Sequence, residues 1–303
     1  KPIIVVIKPG NIVSVRDYGR GISPYPSIKV KGWLEERLAY THVGAGGKFR
    51  DNREKNGNQF AGGLHGTGAC GTNAMSEWFE VEIWKDGRHY KDRYEEGIPV
   101  TELVDGLLPS EPIDTNETGT MVTFKASSKF LRTTKVDVQY VKSIMQDAAY
   151  LNPGLRLILR NERDNEEEQV FYSSDGLLGY MKEILKDENG TPVSCLMKPF
   201  VIHGKSETEP AADGRVIHME ANIAVTFARG ENSASKTYTN GIENKAGGTH
   251  LKGFYQGLID LLKYYYEEFQ SEFTTSMKTQ LELIKNVKKL NAVSDVFNLI
   301  KPR

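Results

Sequence analysis

The hydrophobic pattern near the start of the chain predicts two short strands joined by a turn. Residues 3–7 and 12–16 are rich in β-branched apolar side chains, and Pro9-Gly10-Asn11 between them has the composition of a tight turn. Residues 79–84 form another apolar run, and Asp86-Gly87 just after it is typical of a hairpin turn into a further strand. The first half of the chain therefore contains antiparallel strand pairs.

Longer segments carry apolar residues at helical spacing instead. In the first half they predict helices at 33–42, 69–78 and 136–150, and the charged stretch 161–169 is a turn between strands. In the second half they predict a helix at 176–185, strands near 194–203, 218–227 and 236–240, and then two helices. We expect an α+β chain of two domains, residues 1–173 and 174–303.

Bulk properties exclude some classes of protein. The 303 residues carry a formal net charge of -1, so no overall basic footprint points to nucleic acid, although local clusters of Lys and Arg could still contact DNA. No run reaches the roughly 18 apolar residues of a membrane span. The two cysteines, Cys70 and Cys195, suit a reducing cytoplasm and not a disulfide framework or a zinc site.

A glycine-rich segment at 62–68 precedes the helix predicted at 69–78. Free backbone N–H groups and the helix dipole favour an anion there, and glycines allow phosphate oxygens to approach closely. A P-loop needs Gly-Lys-Ser/Thr at the helix start, where this chain has Gly66-Thr67-Gly68. By itself the segment is equally compatible with a turn that binds nothing.

An aspartate at the end of the second predicted strand adds a second signal. The Asp17 carboxylate can accept a hydrogen bond from an exocyclic amine such as that of adenine. Gly19 and Gly21 would let the backbone pass close to a base. Together with residues 44–48 and 62–68, in that order, this loop indicates a nucleotide pocket.

These segments resemble the ATP-binding motifs of the GHKL superfamily. Within it they are most similar to the ATPase region of bacterial-type type IIA DNA topoisomerases, that is the ATPase subunits of gyrase and topoisomerase IV. The motifs are Asp17-Tyr-Gly-Arg-Gly-Ile22, Gly46-Gly-Lys-Phe49, Gly62-Gly-Leu-His-Gly-Thr-Gly68 and Gly119-Thr-Met-Val-Thr-Phe124. Residues 151–157 and 238–254 resemble further segments of the same proteins, so the similarity covers nearly the whole chain. It implies a GHKL (Bergerat) ATP-binding sandwich followed by a ribosomal-S5-like transducer domain.

The resemblance also implies the roles of individual residues. Asp17 would bind the adenine amino group, Thr120 would support the same water network, and Gly19, Gly21 and Ile22 would surround the base. Arg20 would hold the pocket wall through a carboxylate partner. The lid over the triphosphate would consist of Gly46, Gly47, Lys48, Gly63, Leu64, His65, Gly66, Thr67 and Gly68.

The remaining parts of the family's catalytic site are less complete. Lys278 matches the lysine that contacts the terminal phosphate, although helical spacing over 277–290 is equally compatible with a solvated helix face. In the family, the catalytic glutamate and the asparagine that holds magnesium lie on a helix before the first strand. This sequence starts within that strand, so we expect no metal ligand in it and expect it to derive from a longer protein.

The resemblance implies an ATP-hydrolysing type II topoisomerase, an isomerase that uses ATP and Mg²⁺. ATP binding would drive homodimerisation and close a gate around double-stranded DNA, and hydrolysis would reset the gate. A separate subunit or domain would cleave the DNA. Two alternatives stay open at this point: a nucleotide-dependent dimerisation module without turnover, and an ATPase of the mismatch-repair type. The motifs do not distinguish gyrase from topoisomerase IV.

Overall fold

The computed structural model describes residues 1–45, 66–186, 189–210, 214, 216–227 and 235–268. Tertiary contacts divide the chain into two units. The first contains residues 1–192 and 197–226, and the second contains residues 193–196 and 227–303. The boundary expected between residues 173 and 174 stays a prediction.

The first unit is built on a mixed β-sheet. In chain order its strands are β1 (Ile3–Lys8), β2 (Ile12–Arg16), β3 (Ser76–Lys85), β4 (Arg88–Glu95), β5 (Ile98–Pro99), β6 (Ser110–Pro112), β7 (Gly119–Ala126), β8 (Leu157–Asn161) and β9 (Gln169–Phe171). They lie in the order β5-β4-β3-β7-β2-β1-β8-β9, and β6 pairs with β4. Among these described strands, β1 and β8 are parallel and the other neighbours are antiparallel.

Within its described residues the same unit contains four α-helices: α1 (Glu35–Thr41), α2 (Gly68–Ala74), α3 (Val138–Leu151) and α4 (Leu177–Ile184). A hairpin of β10 (Phe200–Glu207) and β11 (His218–Val225) completes its described part. The second unit contains the short pair β12 (Tyr238–Thr239) and β13 (Ile242–Glu243), followed by α5 (Thr249–Glu268). No helix in the described ranges is both long enough and apolar enough to span a membrane.

Strand alternation gives the large sheet two different faces. On one face Phe79, Val81 and Ile83 of β3 are buried against Tyr40 of α1, and α3 closes a second core over β1 and β8. The other face carries charged side chains that pair across strands, such as Glu80 with Arg93. The expected α+β fold, with helices against a mixed sheet, is confirmed.

Most predicted elements are present, and the main error concerns the helix expected at 69–78. The structure ends α2 at Ala74 and begins β3 at Ser76, because Ser76 pairs with Ala126 of β7. Long-range strand pairing thus overrides the local pattern. The strand expected at 194–203 also starts later, at Phe200. The turn at Pro9-Gly10-Asn11 is confirmed as one 3-10 turn between β1 and β2.

Candidate functional site

The loop after β2 contains the predicted adenine contacts, and the start of β7 holds it. Asp17 directly follows β2, and its backbone N–H donates a 2.9 Å hydrogen bond to the carbonyl of Thr120. The Thr120 hydroxyl accepts a 3.2 Å hydrogen bond from the backbone N–H of Ile22. Thr120 is only 8% exposed, so these bonds are shielded from water. The fold therefore brings together two predicted site residues that are distant in the sequence.

The Asp17 carboxylate uses one oxygen within the loop. Its Oδ1 atom accepts a 2.7 Å hydrogen bond from the backbone N–H of Gly19. Within the part of the chain that the structure describes, no donor reaches Oδ2, which can therefore accept from an amine. Arg20 is exposed, and its carbonyl accepts a 3.0 Å bond from Lys85 Nζ. The carboxylate partner expected for Arg20 stays a prediction.

Two glycines allow the loop and β7 to approach each other closely. Gly119 has φ +133°, and a Cβ atom there would lie 2.2 Å from the carbonyl oxygen of Asp17. Gly21 has φ +69°, and its Cβ would lie 2.9 Å from the carbonyl oxygen of Trp84. Any side chain at either position would displace the Asp17 loop. The glycines therefore allow the Asp17 loop to pack closely against β3 and β7.

Tyr40 of α1 also belongs to this site, although its sequence context indicates only a core position. Its ring packs against Phe79 with centroids 5.2 Å apart, and the side chain is buried. Burial raises the pKa of the Tyr40 hydroxyl, and the negative charges of Glu36 and Asp17 raise it further. Val15 pairs with Val122, which packs against the same core as Tyr40, so strand alternation places Asp17 on the α1 side of the sheet as well.

A buried acidic pair lies under the same helix. Glu36 is fully buried, and its Oε1 atom accepts a 2.7 Å hydrogen bond from the Tyr94 hydroxyl. Asp92 beside it receives a bidentate pair of hydrogen bonds from Arg37, at 2.8 and 3.1 Å. Desolvation, with the charge of Asp92 as the next contribution, raises the pKa of Glu36 to about 8. Glu36 therefore retains its proton to a higher pH than an ordinary glutamate does.

The protonated form explains an otherwise unpaired atom. As an acceptor, Glu36 Oε2 has no hydrogen-bond partner among the described residues although it is buried. When it carries a proton it becomes a donor, and the Asp92 carboxylate lies within hydrogen-bonding reach. Nothing in the sequence pattern distinguished Glu36 from a solvated helical glutamate.

The end of the glycine-rich segment is described from Gly66 onward. Gly66 has φ +60°, and its carbonyl accepts a 3.4 Å hydrogen bond from the backbone N–H of Gly44. Thr67 makes no side-chain cap, and α2 begins at Gly68. The lid role of Gly66, Thr67 and Gly68 stays a prediction. Seven other predicted site residues lie outside the described residues: Gly46, Gly47, Lys48, Gly63, Leu64, His65 and Lys278.

A nucleotide fits the described half of the site better than a metal does. Among the described residues, one Asp17 carboxylate oxygen has no donor, and the two glycines let the Asp17 loop pack tightly against β3 and β7. In contrast, no group of three or more His, Cys, Asp or Glu side chains within the described ranges could hold a metal ion. We therefore assign no protein ligand for Mg²⁺ and derive no step through it.

Comparison with known sequences finds relatives that are DNA gyrase B proteins. The family model for DNA gyrase B matches residues 176–289. DNA gyrase B of Thermus thermophilus is 31% identical over 254 residues, covering 83% of this chain and 36% of the relative. The gyrase B of Archaeoglobus fulgidus is 32% identical over 260 residues, and that of Staphylococcus aureus is 32% identical over 266 residues. These two alignments cover 86% and 87% of this chain, and 37% of each relative.

A solved structure agrees with the sequence matches. The crystal structure of the 43K ATPase domain of Thermus thermophilus gyrase B, in complex with an aminocoumarin, superposes with a TM-score of 0.65 at 23% identity. The superposition covers 90% of this chain and 64% of that one. The chain thus spans little more than a third of the length of its sequence relatives. It is a relative of DNA gyrase B, and its fold is that of the gyrase B ATPase domain.

Proposed function

We propose that the chain is the ATP-binding and ATP-hydrolysing module of a type II DNA topoisomerase. The observation that carries this proposal is the Asp17 loop, whose carboxylate has one oxygen open to a donor and whose backbone is held against the start of β7. The three relatives compared above are each a DNA gyrase B, which favours a topoisomerase over a mismatch-repair ATPase.

The described geometry supports a mode of adenine recognition. Asp17 Oδ2 would accept a hydrogen bond from the exocyclic amine, directly or through a water molecule. A carboxylate in that position disfavours guanine, which presents a carbonyl oxygen where adenine has the amine. Thr120 can donate its hydroxyl proton to the same water, because its oxygen already accepts from Ile22. Gly19, Arg20 and Ile22 would form the wall around the base.

Phosphate binding is assigned by similarity to the family. The lid residues, Gly46 to Lys48 and Gly63 to Gly68, would close over the triphosphate, and Mg²⁺ would screen the phosphate charges. Lys278 would contact the terminal phosphate and couple it to the transducer. Hydrolysis in such sites depends mainly on positioning and electrostatic stabilisation of the transferred phosphoryl group. No residue of this chain is assigned as the general base.

The assembly would follow the gyrase pattern. Two copies of the module would dimerise when ATP binds, trap a segment of double-stranded DNA and release it after hydrolysis. DNA cleavage would belong to another subunit or domain that supplies the reactive tyrosine. We place the enzyme in the cytoplasm, where the DNA substrate lies.

Isothermal titration with a non-hydrolysable ATP analogue and Mg²⁺ tests the adenine site. Asp17→Asn should abolish measurable binding, because the amide presents a donor to the adenine amine. Asp114→Asn, at an exposed position between β6 and β7, is the matched control and should bind like the unmodified chain. Equal affinity of the Asp17→Asn variant and this control would contradict the proposed site.

A second experiment separates turnover from binding alone. In the full-length protein, Lys278→Ala should lower the ATP hydrolysis rate at least tenfold while leaving affinity for the analogue largely unchanged. Lys288→Ala removes a nearby lysine of the same segment and should change neither quantity. Absence of hydrolysis in the unmodified full-length protein would instead establish the dimerisation module without turnover.

A further inference from the structure

A stack of cationic and aromatic side chains lies beside the Asp17 loop. The Arg16 guanidinium carbon is 3.3 Å from the centre of the Trp84 ring and 4.8 Å from the centre of the Tyr18 ring. Trp84 also stacks on His89, with ring centroids 4.4 Å apart and an interplanar angle of 15°. Both contacts of Arg16 are within the range of favourable cation–π interaction.

Arg16 is unusually buried for a charged residue on an open sheet face. It is only 8% exposed, and Glu117 Oε1 lies 3.4 Å from its Nη2 atom. Its Nη1 atom has no hydrogen-bond partner among the described residues. Removing a guanidinium from water without satisfying all its donors costs free energy. The aromatic faces offset part of that cost, so the position of the guanidinium is defined by the rings.

The stack lies on the opposite side of the sheet from the adenine-binding carboxylate. Arg16 ends β2 on the face that carries Trp84, whereas strand alternation places Asp17 on the α1 side. Tyr18 returns to the Arg16 side and contacts it. The residues before and after Asp17 are thus held together on one face, which directs the Asp17 side chain to the other.

β7 fixes only the backbone of this turn. The hydrogen bond from Asp17 N–H to Thr120 and the close approach of Gly119 both involve main-chain atoms of residue 17. Apart from the local bond to Gly19, the carboxylate direction depends on how the flanking side chains are held. Lys1 Nζ also lies 4.8 Å from the Tyr18 ring centre, but it is Arg16 that joins the Tyr18 ring to Trp84 of β3.

We propose that Arg16 is a positioning residue for base recognition: by binding Tyr18 and Trp84 on the open face, it holds the Asp17 carboxylate in the orientation that selects adenine. This inference rests on the proposed function of the Asp17 loop. It assigns to Arg16 an effect on nucleotide choice, beyond any effect on stability.

The test compares the affinities of non-hydrolysable ATP and GTP analogues by titration, with thermal unfolding measured in parallel. Arg16→Ala should weaken ATP-analogue binding about tenfold, and the ratio of ATP to GTP affinity should fall by a similar factor. Arg16→Lys should not restore the ratio, because a compact ammonium cannot stack on both rings as a planar guanidinium does. If Arg16→Ala fails to fold, Tyr18→Leu removes one ring and should lower the same ratio.

The matched control is another arginine of the sheet that makes a cation–π contact. Arg93 lies over the Trp78 ring at 5.2 Å, and Arg93→Ala should leave the ATP-to-GTP ratio unchanged. The inference is overturned if Asp17→Asn abolishes binding but the Arg16 variants keep the full ratio of ATP to GTP affinity. Equal loss of affinity for both analogues would have the same meaning. If Asp17→Asn itself binds normally, the proposed function fails, and the two failures are thereby distinguished.

Discussion

Replacing the buried acid Glu36 by glutamine should stabilise the protein, and the gain should depend on pH. In the folded state the pKa of Glu36 is about 8, whereas its ordinary value is 4.5. Between those values the folded state retains a proton that the unfolded state has released. The stability contributed by this proton is therefore fully present below about pH 4.5 and is lost progressively as the pH rises towards 8.

The size of the effect follows from the pKa difference. Each pKa unit corresponds to about 1.4 kcal/mol. The free energy of unfolding at pH 7 is therefore on the order of 3 kcal/mol lower than it is below pH 4.5. A glutamine side chain at this position would preserve the bond from the Tyr94 hydroxyl and could donate to Asp92, without titrating. Glu36→Gln should accordingly stabilise by about 3 kcal/mol at pH 7 and by little near pH 4.5.

Urea unfolding of both proteins at pH 5, 6, 7 and 8, at constant ionic strength, measures this difference. The stability gap should widen by about 1.4 kcal/mol for each unit of pH increase until the folded pKa is reached. Glu35→Gln, at the partly exposed neighbouring position of α1, is the matched control and should give no widening gap. A gap of constant size for Glu36→Gln would show that Glu36 is already ionised in the folded protein.

Two further predictions concern stability and the shape of the nucleotide site. Gly119→Ala should destabilise by more than about 2 kcal/mol and abolish analogue binding, because its Cβ would meet the Asp17 carbonyl oxygen. Gly71→Ala lies inside α2, where a Cβ atom would have no neighbour within 4 Å, and it should instead stabilise the protein by about 0.5–1 kcal/mol. Equal shifts of the unfolding temperature for Gly119→Ala and Gly71→Ala would refute the steric argument. Arg37→Ala should cost about 3–5 kcal/mol in urea unfolding by leaving the Asp92 carboxylate buried and unpaired, and a loss below about 1 kcal/mol would contradict that role.

Local patterns predicted those elements whose residues interact mainly with near neighbours. Positive φ angles occur at Gly10 and Asn11 in the first turn and at Asp86 and Gly87 in the hairpin turn. These residue types tolerate that conformation. The helix expected at 136–150 agrees with α3 to within two residues. The Asp17 segment resembled a family motif only in combination with residues 44–48 and 62–68, because the short segment alone is also typical of an ordinary turn.

The limits of the sequence are clearest where a residue's environment comes from distant strands. The helix expected at 69–78 failed at its end because β3 pairs with β7, a contact with no local signal. The sequence around Glu36 is typical of an exposed position in a helix. In the folded chain, however, Asp92 and Tyr94 of β4 lie beside its side chain and alter its pKa.

Residue type and short-range order were sufficient to predict most of the strand and turn pattern and the α+β class. Only the folded chain shows that the Asp17 backbone bonds to Thr120 and packs closely against Gly119. It also shows that Arg16 contacts both Tyr18 and Trp84 on the opposite face. These contacts arise from strand pairing between residues remote in sequence. Strand register, which one-dimensional periodicity does not specify, sets their geometry.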